Sequence, residues 1–290
     1  MMRNKKRTEY DTLGSKRIDN KNFWGAQTQR SLENFQIGSE KIPFEIIRAL
    51  GMQKKAACET NLQFRLIDKN IGAAIIKACD KIINSELNNQ FPLSVWQTGS
   101  GTQTNMNINE VISNVAIKLL KGKVGTKKPV HPNDHVNLSQ SSNDTFPTVM
   151  HIAINERTDE KLIPNLNNLI KELKLKTKKF NKIIKIGRTH TQDATPLTLG
   201  QEFSAYLAQI ENSKKRIIYS KKDLSFLAQG GTAIGTGINS PKNFDKTFCK
   251  NLSKMTNNIY KPAKNKFAAI ASHDTLVAFS NSLNSLAIEI

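Results

Sequence analysis

Leu162, Leu166, Leu169 and Leu173 stand at alternating spacings of four and three within a helical pattern running from about Thr145 to Phe180. That rhythm is the seam of a long helix packed lengthwise against others, and it commits the chain to a helical bundle. Pro164 falls inside the seam, removes one backbone N–H, and predicts a kink or break there. Other apolar faces repeat at helical spacing: Ile46, Ile47, Leu50, Ala57 and Leu62 after Pro43, then Ile71, Ala74, Ile75, Ala78, Ile82 and Ile83 behind Asp68 as N-cap. Ile108, Val111, Ile112, Val115 and Leu119 mark another helix, which Gly122 stops. A second long helix is predicted from Leu197 to about Ala228, with Pro196 at its first position, and further helices near 241–257 and 272–290. Residues 8–38 read as irregular, broken by Gly14, Asp19-Asn20 and Gly25. With no strand alternation beyond a few residues, the predicted class is all-α: an N-terminal mainly helical domain over 1–140, then a central helical bundle over 141–290.

The charge invites a reading that the pattern does not sustain. Forty-three Lys and Arg oppose 24 Asp and Glu, a formal net charge of +19, yet the lysines are scattered and rarely interleaved with aromatics. They read as solvated helix faces in a chain rich in Lys, Asn and Ile, and no nucleic-acid partner is expected. No apolar run approaches the length of a membrane span, so no membrane partner is expected either. Met1 to Tyr10 is short and basic without an apolar stretch, which argues against a secretory signal and for a cytoplasmic protein. Cys58, Cys79 and Cys249 are odd in number, far apart and without metal-ligand spacing; Cys58 and Cys79 read as core thiols of a reducing compartment.

Four polar loops stand out. Thr98-Gly99-Ser100-Gly101-Thr102 precedes the helix carrying Val111, and His131-Pro132-Asn133-Asp134 follows later. Ser141-Ser142-Asn143-Asp144 opens the long helix, and Thr189-His190 sits in the run Gly187 to Gly200 between two helical stretches. Each is expected at or near a helix start, where free backbone N–H groups and the helix dipole favour an anion. One such loop is ordinarily an N-cap; four in one helical protein suit a small anion with a carboxylate at each end. A P-loop and a dinucleotide glycine fingerprint are both missing, which favours such an anion over a nucleotide. His131 and His135 are four apart, but Pro132 breaks a continuous helix between them and no third ligand stands out, so no metal is expected. His151 and His273 read as structural. His190 is the candidate acid/base, the residue type that exchanges a proton near neutral pH.

These residues lie in longer motifs. Phe23 to Arg30 (FWGAQTQR), Trp96 to Asn107 (WQTGSGTQTNMN), Val130 to Asn137 (VHPNDHVN), Ser139 to Pro147, Gly187 to Gly200 and Gly230 to Asn239 together resemble the class II fumarases of the fumarase/aspartase superfamily. The resemblance runs along nearly the whole chain. It implies a long-helix bundle assembled as a homotetramer, active sites built from three subunits, and reversible hydration of fumarate to L-malate in the tricarboxylic acid cycle without metal or cofactor. Ser100, Gly101, Thr102, Ser141, Ser142, Asn143 and Thr189 would hold the substrate carboxylates, and His190 would work through an ordered water. His131, Pro132, Asn133 and Asp134 would form a secondary anion site.

Two departures bear on these expectations. Leu138 replaces a basic residue usual before Ser-Gln-Ser-Ser-Asn-Asp. The sequence also lacks the family's later Gly-Ser-Ser-x-x-Pro-x-Lys-x-Asn loop, so the resemblance covers roughly the first two thirds of a family member. From this the 290-residue chain is expected to be inactive alone, with Leu276, Phe279, Leu283, Leu286 and Ile290 forming an uncovered apolar seam. An aspartate ammonia-lyase of the same superfamily and a non-catalytic helical assembly module are the alternative readings.

Overall fold

A computed structural model describes residues 6–98, 100–256 and 258–290; Gly99 of the first loop and the first five residues of the basic N-terminal stretch lie outside them. Ten α-helices account for most of the described residues, and the all-α class stands. The chain divides into two units, Met1–Ala153 with Ser225–Ser272 and Ile154–Leu224 with His273–Ile290. Where a single boundary near residue 140 is expected, the division is discontinuous, because Ser225–Ser272 returns to the first unit.

The first unit opens with an antiparallel hairpin, β1 (Lys6–Asp11) and β2 (Gly14–Asp19), in register from Lys6↔Asp19 to Asp11↔Gly14. This stretch was expected to be irregular. Its alternation is hidden because the inward positions are Glu9 and Ile18, one charged and one apolar. Glu9 stays buried because Arg7 Nε reaches it at 2.7 Å, while the Arg7 Nη atoms donate to the carbonyls of Asp19, Asn22 and Trp24. Helices α1 (Ala26–Asn34), α2 (Phe44–Gln63), α3 (Lys69–Ile83) and α4 (Thr102–Leu119) follow. Asp68 caps α3 as expected, accepting from the N–H groups of Asn70 and Ile71. Gly25, the N-cap of α1, makes no side-chain cap. Glu110 of α4 takes over that task, accepting from the N–H groups of Gly25, Gln27 and Thr28 and from the Thr28 hydroxyl. A Cβ on Gly25 would sit 2.7 Å from this carboxyl, which leaves room for glycine alone.

α5 (Ser142–Arg157) leads through a π-helical turn, Thr158–Leu162, into α6 (Ile163–Lys179). The interruption anticipated from Pro164 is there, with the proline in the first turn of α6, where its missing N–H costs nothing. In the second unit β3 (Ile184–Thr189) and β4 (Gln192–Thr198) form an antiparallel hairpin, followed by α7 (Leu199–Lys221). The long helix therefore begins at Leu199. Pro196 lies in β4 opposite Ile186, on a two-stranded ribbon where a missing N–H is tolerated. The start signal is Thr198, whose hydroxyl accepts from Gln201 N while the Gln201 side chain accepts from Thr198 N.

The chain returns to the first unit through β5 (Phe226–Leu227), parallel to β6 (Lys261–Pro262), with α8 (Phe244–Thr256) between them and α9 (Lys266–Ala271) after. Its core gathers Leu50, Ala57, Ile75, Ile82, Ile108, Ile112 and Phe248, together with the three thiols. α10 (Asp274–Glu289) belongs to the second unit and packs on α7. The core there is Leu166, Ile170, Ile210, Ile217, Leu224, Phe279 and Leu286. Two of the five residues expected to stay uncovered, Phe279 and Leu286, are thus buried, while Leu283 and Ile290 are exposed. Leu169 of the α6 seam is also exposed, with Ile170 taking its place in the core.

Candidate active site

The first unit brings two of the four polar loops together. Gly101 is the N-cap of α4, has φ 71°, and offers no side chain to the free N–H groups of the first turn. Its α-carbon lies so close to α5 that an added Cβ would meet the Phe146 ring at 2.3 Å. Only glycine satisfies both the left-handed backbone and this approach. Ser100 is exposed, its hydroxyl 3.0 Å from that of Thr102. Four residues into α4, Asn105 Nδ2 donates to Ser142 Oγ at 2.9 Å. Ser100, Gly101 and Thr102 therefore stand beside Ser141, Ser142 and Asn143, two helix N-termini side by side.

The start of α5 is held from below. Asp144 is fully buried, and its carboxylate accepts from Ser141 N at 3.0 Å, Gly230 N at 2.9 Å and Thr232 N at 2.8 Å. Asn143 Nδ2 adds a bond to Ala233 O at 2.8 Å, tying the glycine-rich segment to the same loop. Burial pushes the Asp144 carboxyl up to about 6, against the pull of the three N–H donors and of Lys54. Lys54 of α2 is also fully buried; burial brings its amine down to about 7, opposed by Asp144. Lys54 Nζ donates to Asn137 Oδ1 at 2.8 Å and Gln140 Oε1 at 3.0 Å.

His131 caps a π-helical turn, Pro132–Val136, that leads into Asn137, so Pro132 opens a helical turn between His131 and His135 where a break was expected, its missing N–H costing nothing at a first position. His131 Nδ1 accepts from the N–H groups of Asn133 and Asp134, both at 3.2 Å, and His131 N donates to His135 Nδ1 at 2.8 Å. An Nδ1 that accepts carries no proton, so the neutral ring has its N–H on Nε2. Burial lowers the His131 pKa, with Asp134 opposing. The 3.3 Å approach of Asp134 Oδ2 to Nδ1 is accordingly a by-product of the turn and not an ion pair. Pro132 is buried; Asn133 and Asp134 are exposed. Among the described residues no group of three or more His, Cys, Asp or Glu side chains is placed to hold a metal ion.

Thr189 and His190 belong to the second unit. They stand at the tip of the β3–β4 hairpin, where Thr189 pairs with Gln192 across His190 and Thr191. His190 has φ 50° and Thr191 φ 65°. Two successive positive φ values make the primed two-residue turn that matches strand twist. For a β-branched threonine that region is strained, at a cost of about 1–3 kcal/mol. The expected helix start is therefore a hairpin tip, nine residues before α7, and His190 owes nothing to a helix dipole. Its ring is exposed and has no hydrogen-bond partner among the described residues.

The buried polar set beneath the Ser142 loop is what the sequence reading passed over. Lys54 follows Leu50 and precedes Ala57 at the spacing of a core face, so a lysine in an inward position was the available signal.

Residues 14–290 match the Lyase family profile. The chain is 55% identical over 284 residues to the class II fumarate hydratase of Brucella suis biovar 1 and, over the same length, to that of Rickettsia bellii, covering 98% of this chain and 61% of each relative. It overlays a solved class II fumarase from Schistosoma mansoni with TM-score 0.96 and 43% identity, covering 98% of this chain and 63% of that one. The chain thus spans about three fifths of the length of the curated relatives it matches.

Proposed function

This chain belongs to the lyase family that includes the class II fumarate hydratases, and from that premise we propose that the protein interconverts fumarate and L-malate. The observation that carries the reading is the pairing of two helix N-termini, α4 at Gly101, which has no side-chain cap, and α5 at Ser142, where Ser141 Oγ accepts from Asn143 N at 3.3 Å, fastened together by the Asn105–Ser142 bond. Such a pair presents backbone N–H groups, hydroxyls and an amide to one carboxylate, with no cationic side chain needed. In this reading Ser100, Gly101, Thr102, Ser141, Ser142, Asn143 and Thr189 hold the substrate carboxylates. His131, Pro132, Asn133 and Asp134 form a second anion site, and His190 is the acid/base. The protein works as a homotetramer in the cytoplasm, with active sites shared between subunits, in the tricarboxylic acid cycle, and the reaction calls for no metal or cofactor.

The chemistry suits these groups. Dehydration passes the proton of a C–H bond beside one carboxylate to a base, the electron pair of that bond becomes the new double bond, and the hydroxyl, given a proton by an acid, leaves as water, so one proton is taken up and one released. Negative charge gathers on the neighbouring carboxylate in the transition state. A fixed donor aimed at it is worth about 3–4 kcal/mol. An imidazole that gains and loses a proton near neutral pH serves the leaving hydroxyl through a bound water.

The test is to follow loss of fumarate spectrophotometrically with a full-length version of the protein, in water and in ammonium buffer, and identify the product. L-malate formation supports the proposal. Aspartate formed only with ammonium would make the protein an ammonia-lyase, and no product in either buffer would leave a non-catalytic assembly module.

A further inference from the structure

Ser142 Oγ has one hydrogen to give and lone pairs to receive with, and which way it turns decides whether it attracts or repels a carboxylate. The interior of the first unit settles that direction. Asn137 Nδ2 donates to the Gln140 carbonyl at 3.3 Å and Gln140 Nε2 to the carbonyls of Val136 and Leu138 at 3.1 and 2.9 Å, so both amides turn their oxygens to Lys54 Nζ, Asn137 at 2.8 Å and Gln140 at 3.0 Å. Asn137 Oδ1 is also 3.2 Å from Asn105 Nδ2, and an oxygen already facing a cation requires Asn105 to offer its N–H. The other hydrogen of the same Asn105 amide goes to Ser142 Oγ at 2.9 Å. A hydroxyl oxygen engaged as an acceptor from below keeps its hydrogen free to point outward. The chain of bonds is buried at its source and its middle, Lys54 and Asn105 both lacking exposed surface. Gln53 Nε2 braces it from the side, donating to Gln140 Oε1 at 2.9 Å and Gln229 Oε1 at 2.8 Å.

We propose that Lys54 is a positioning residue for the dicarboxylate site: through Asn137 and Asn105 it orients the Ser142 hydroxyl so that its hydrogen is presented to the bound carboxylate. This rests on the reading of Ser142 as a carboxylate ligand. The buried cation acts at a distance of three hydrogen bonds, and it also places positive charge beneath two helix N-termini that already favour an anion.

A double-mutant cycle in the full chain separates this role from simple core packing. Lys54→Met keeps the length of the side chain and removes the donor, Ser142→Ala removes the hydroxyl, and the third protein carries both. Succinate, a dicarboxylate that cannot react, is titrated by calorimetry, and KM for fumarate is measured beside it. Each single change is expected to weaken succinate binding and raise KM about tenfold, the worth of one hydrogen bond. The double variant is expected to be no weaker than Ser142→Ala alone. Losses that multiply, or a Lys54→Met protein with unaltered affinity, would overturn the proposal. If Lys54→Met does not fold, Asn105→Ala decides, because it cuts the chain without touching the cation. It is expected to reproduce the loss and add nothing to Ser142→Ala, whereas wild-type affinity would overturn the proposal. An unmutated chain that binds no succinate and turns over no fumarate would instead refute the functional reading on which the proposal stands, and the proposal with it.

Discussion

The start of α5 and the tip of the β3–β4 hairpin carry the same kinds of side chain, but they are held in place by opposite means. Ser141, Ser142 and Asn143 rest on a fully buried carboxylate that gathers three backbone N–H groups, with a buried ammonium nearby. Their geometry is fixed from the interior. Thr189 and His190 are exposed, and their geometry is fixed by the hairpin ladder alone, with two residues forced to positive φ. One loop is suited to binding, since rigid donors need no reorganisation when a carboxylate arrives. The other presents an exposed ring with no hydrogen-bond partner among the described residues, which is compatible with the proposed acid/base role of His190.

The contrast can be broken at either end. The largest effect should come from the hairpin: in a full-length version, His190→Asn is expected to lower turnover about 10²–10⁴-fold, the usual worth of a positioned acid or base. Asparagine tolerates positive φ, so the turn survives and the unfolding midpoint should hold. Turnover near the unmutated rate would reduce His190 to a turn residue. Next comes Asp144→Ala, expected to cost about 3 kcal/mol at neutral pH by stranding three buried N–H groups and an ammonium, read from the denaturant midpoint. Its pH dependence has a definite sign. Asp144 titrates near 6 in the fold against an ordinary 3.8, so the folded state takes up the proton first. The stability advantage of the unmutated chain over Asp144→Ala should therefore grow as the pH falls from about 6 to about 4, and shrink as it rises through 6. An advantage that is flat across that window would show that the carboxyl is not desolvated. The smallest effect is Thr191→Gly, which removes left-handed strain but adds freedom to the unfolded chain. It should raise the unfolding free energy by at most about 1 kcal/mol, and a loss of stability would show that the threonine is not strained.

How much of this was legible follows from what each element displays. The helices of the first unit announce themselves, because Ile75, Ile82, Ile108 and Ile112 recur at helical spacing and all are buried. The β1–β2 hairpin stayed hidden behind a buried glutamate, and β3–β4 behind a proline that suggested a helix start where Thr198 and Gln201 supply the true one. For the site, the loops around Ser100 and Ser142 were readable as helix starts, but their mutual approach through Phe146 and Asn105 was not, since it depends on tertiary packing of α4 against α5. The charges beneath them were harder still. Asp144 looks like one more cap residue in a polar run, and Lys54 like one more lysine among 43 Lys and Arg.

The central claim is that the donors where α4 meets α5 hold a substrate carboxylate, and Ser142→Ala tests it most directly when fumarate hydration and the unfolding midpoint are measured on the same preparation of a full-length version. Loss of a donor aimed at developing charge is expected to lower kcat/KM about 10²–10³-fold with the midpoint unchanged. A Ser142→Ala protein that hydrates fumarate as fast as the unmutated chain would contradict the account.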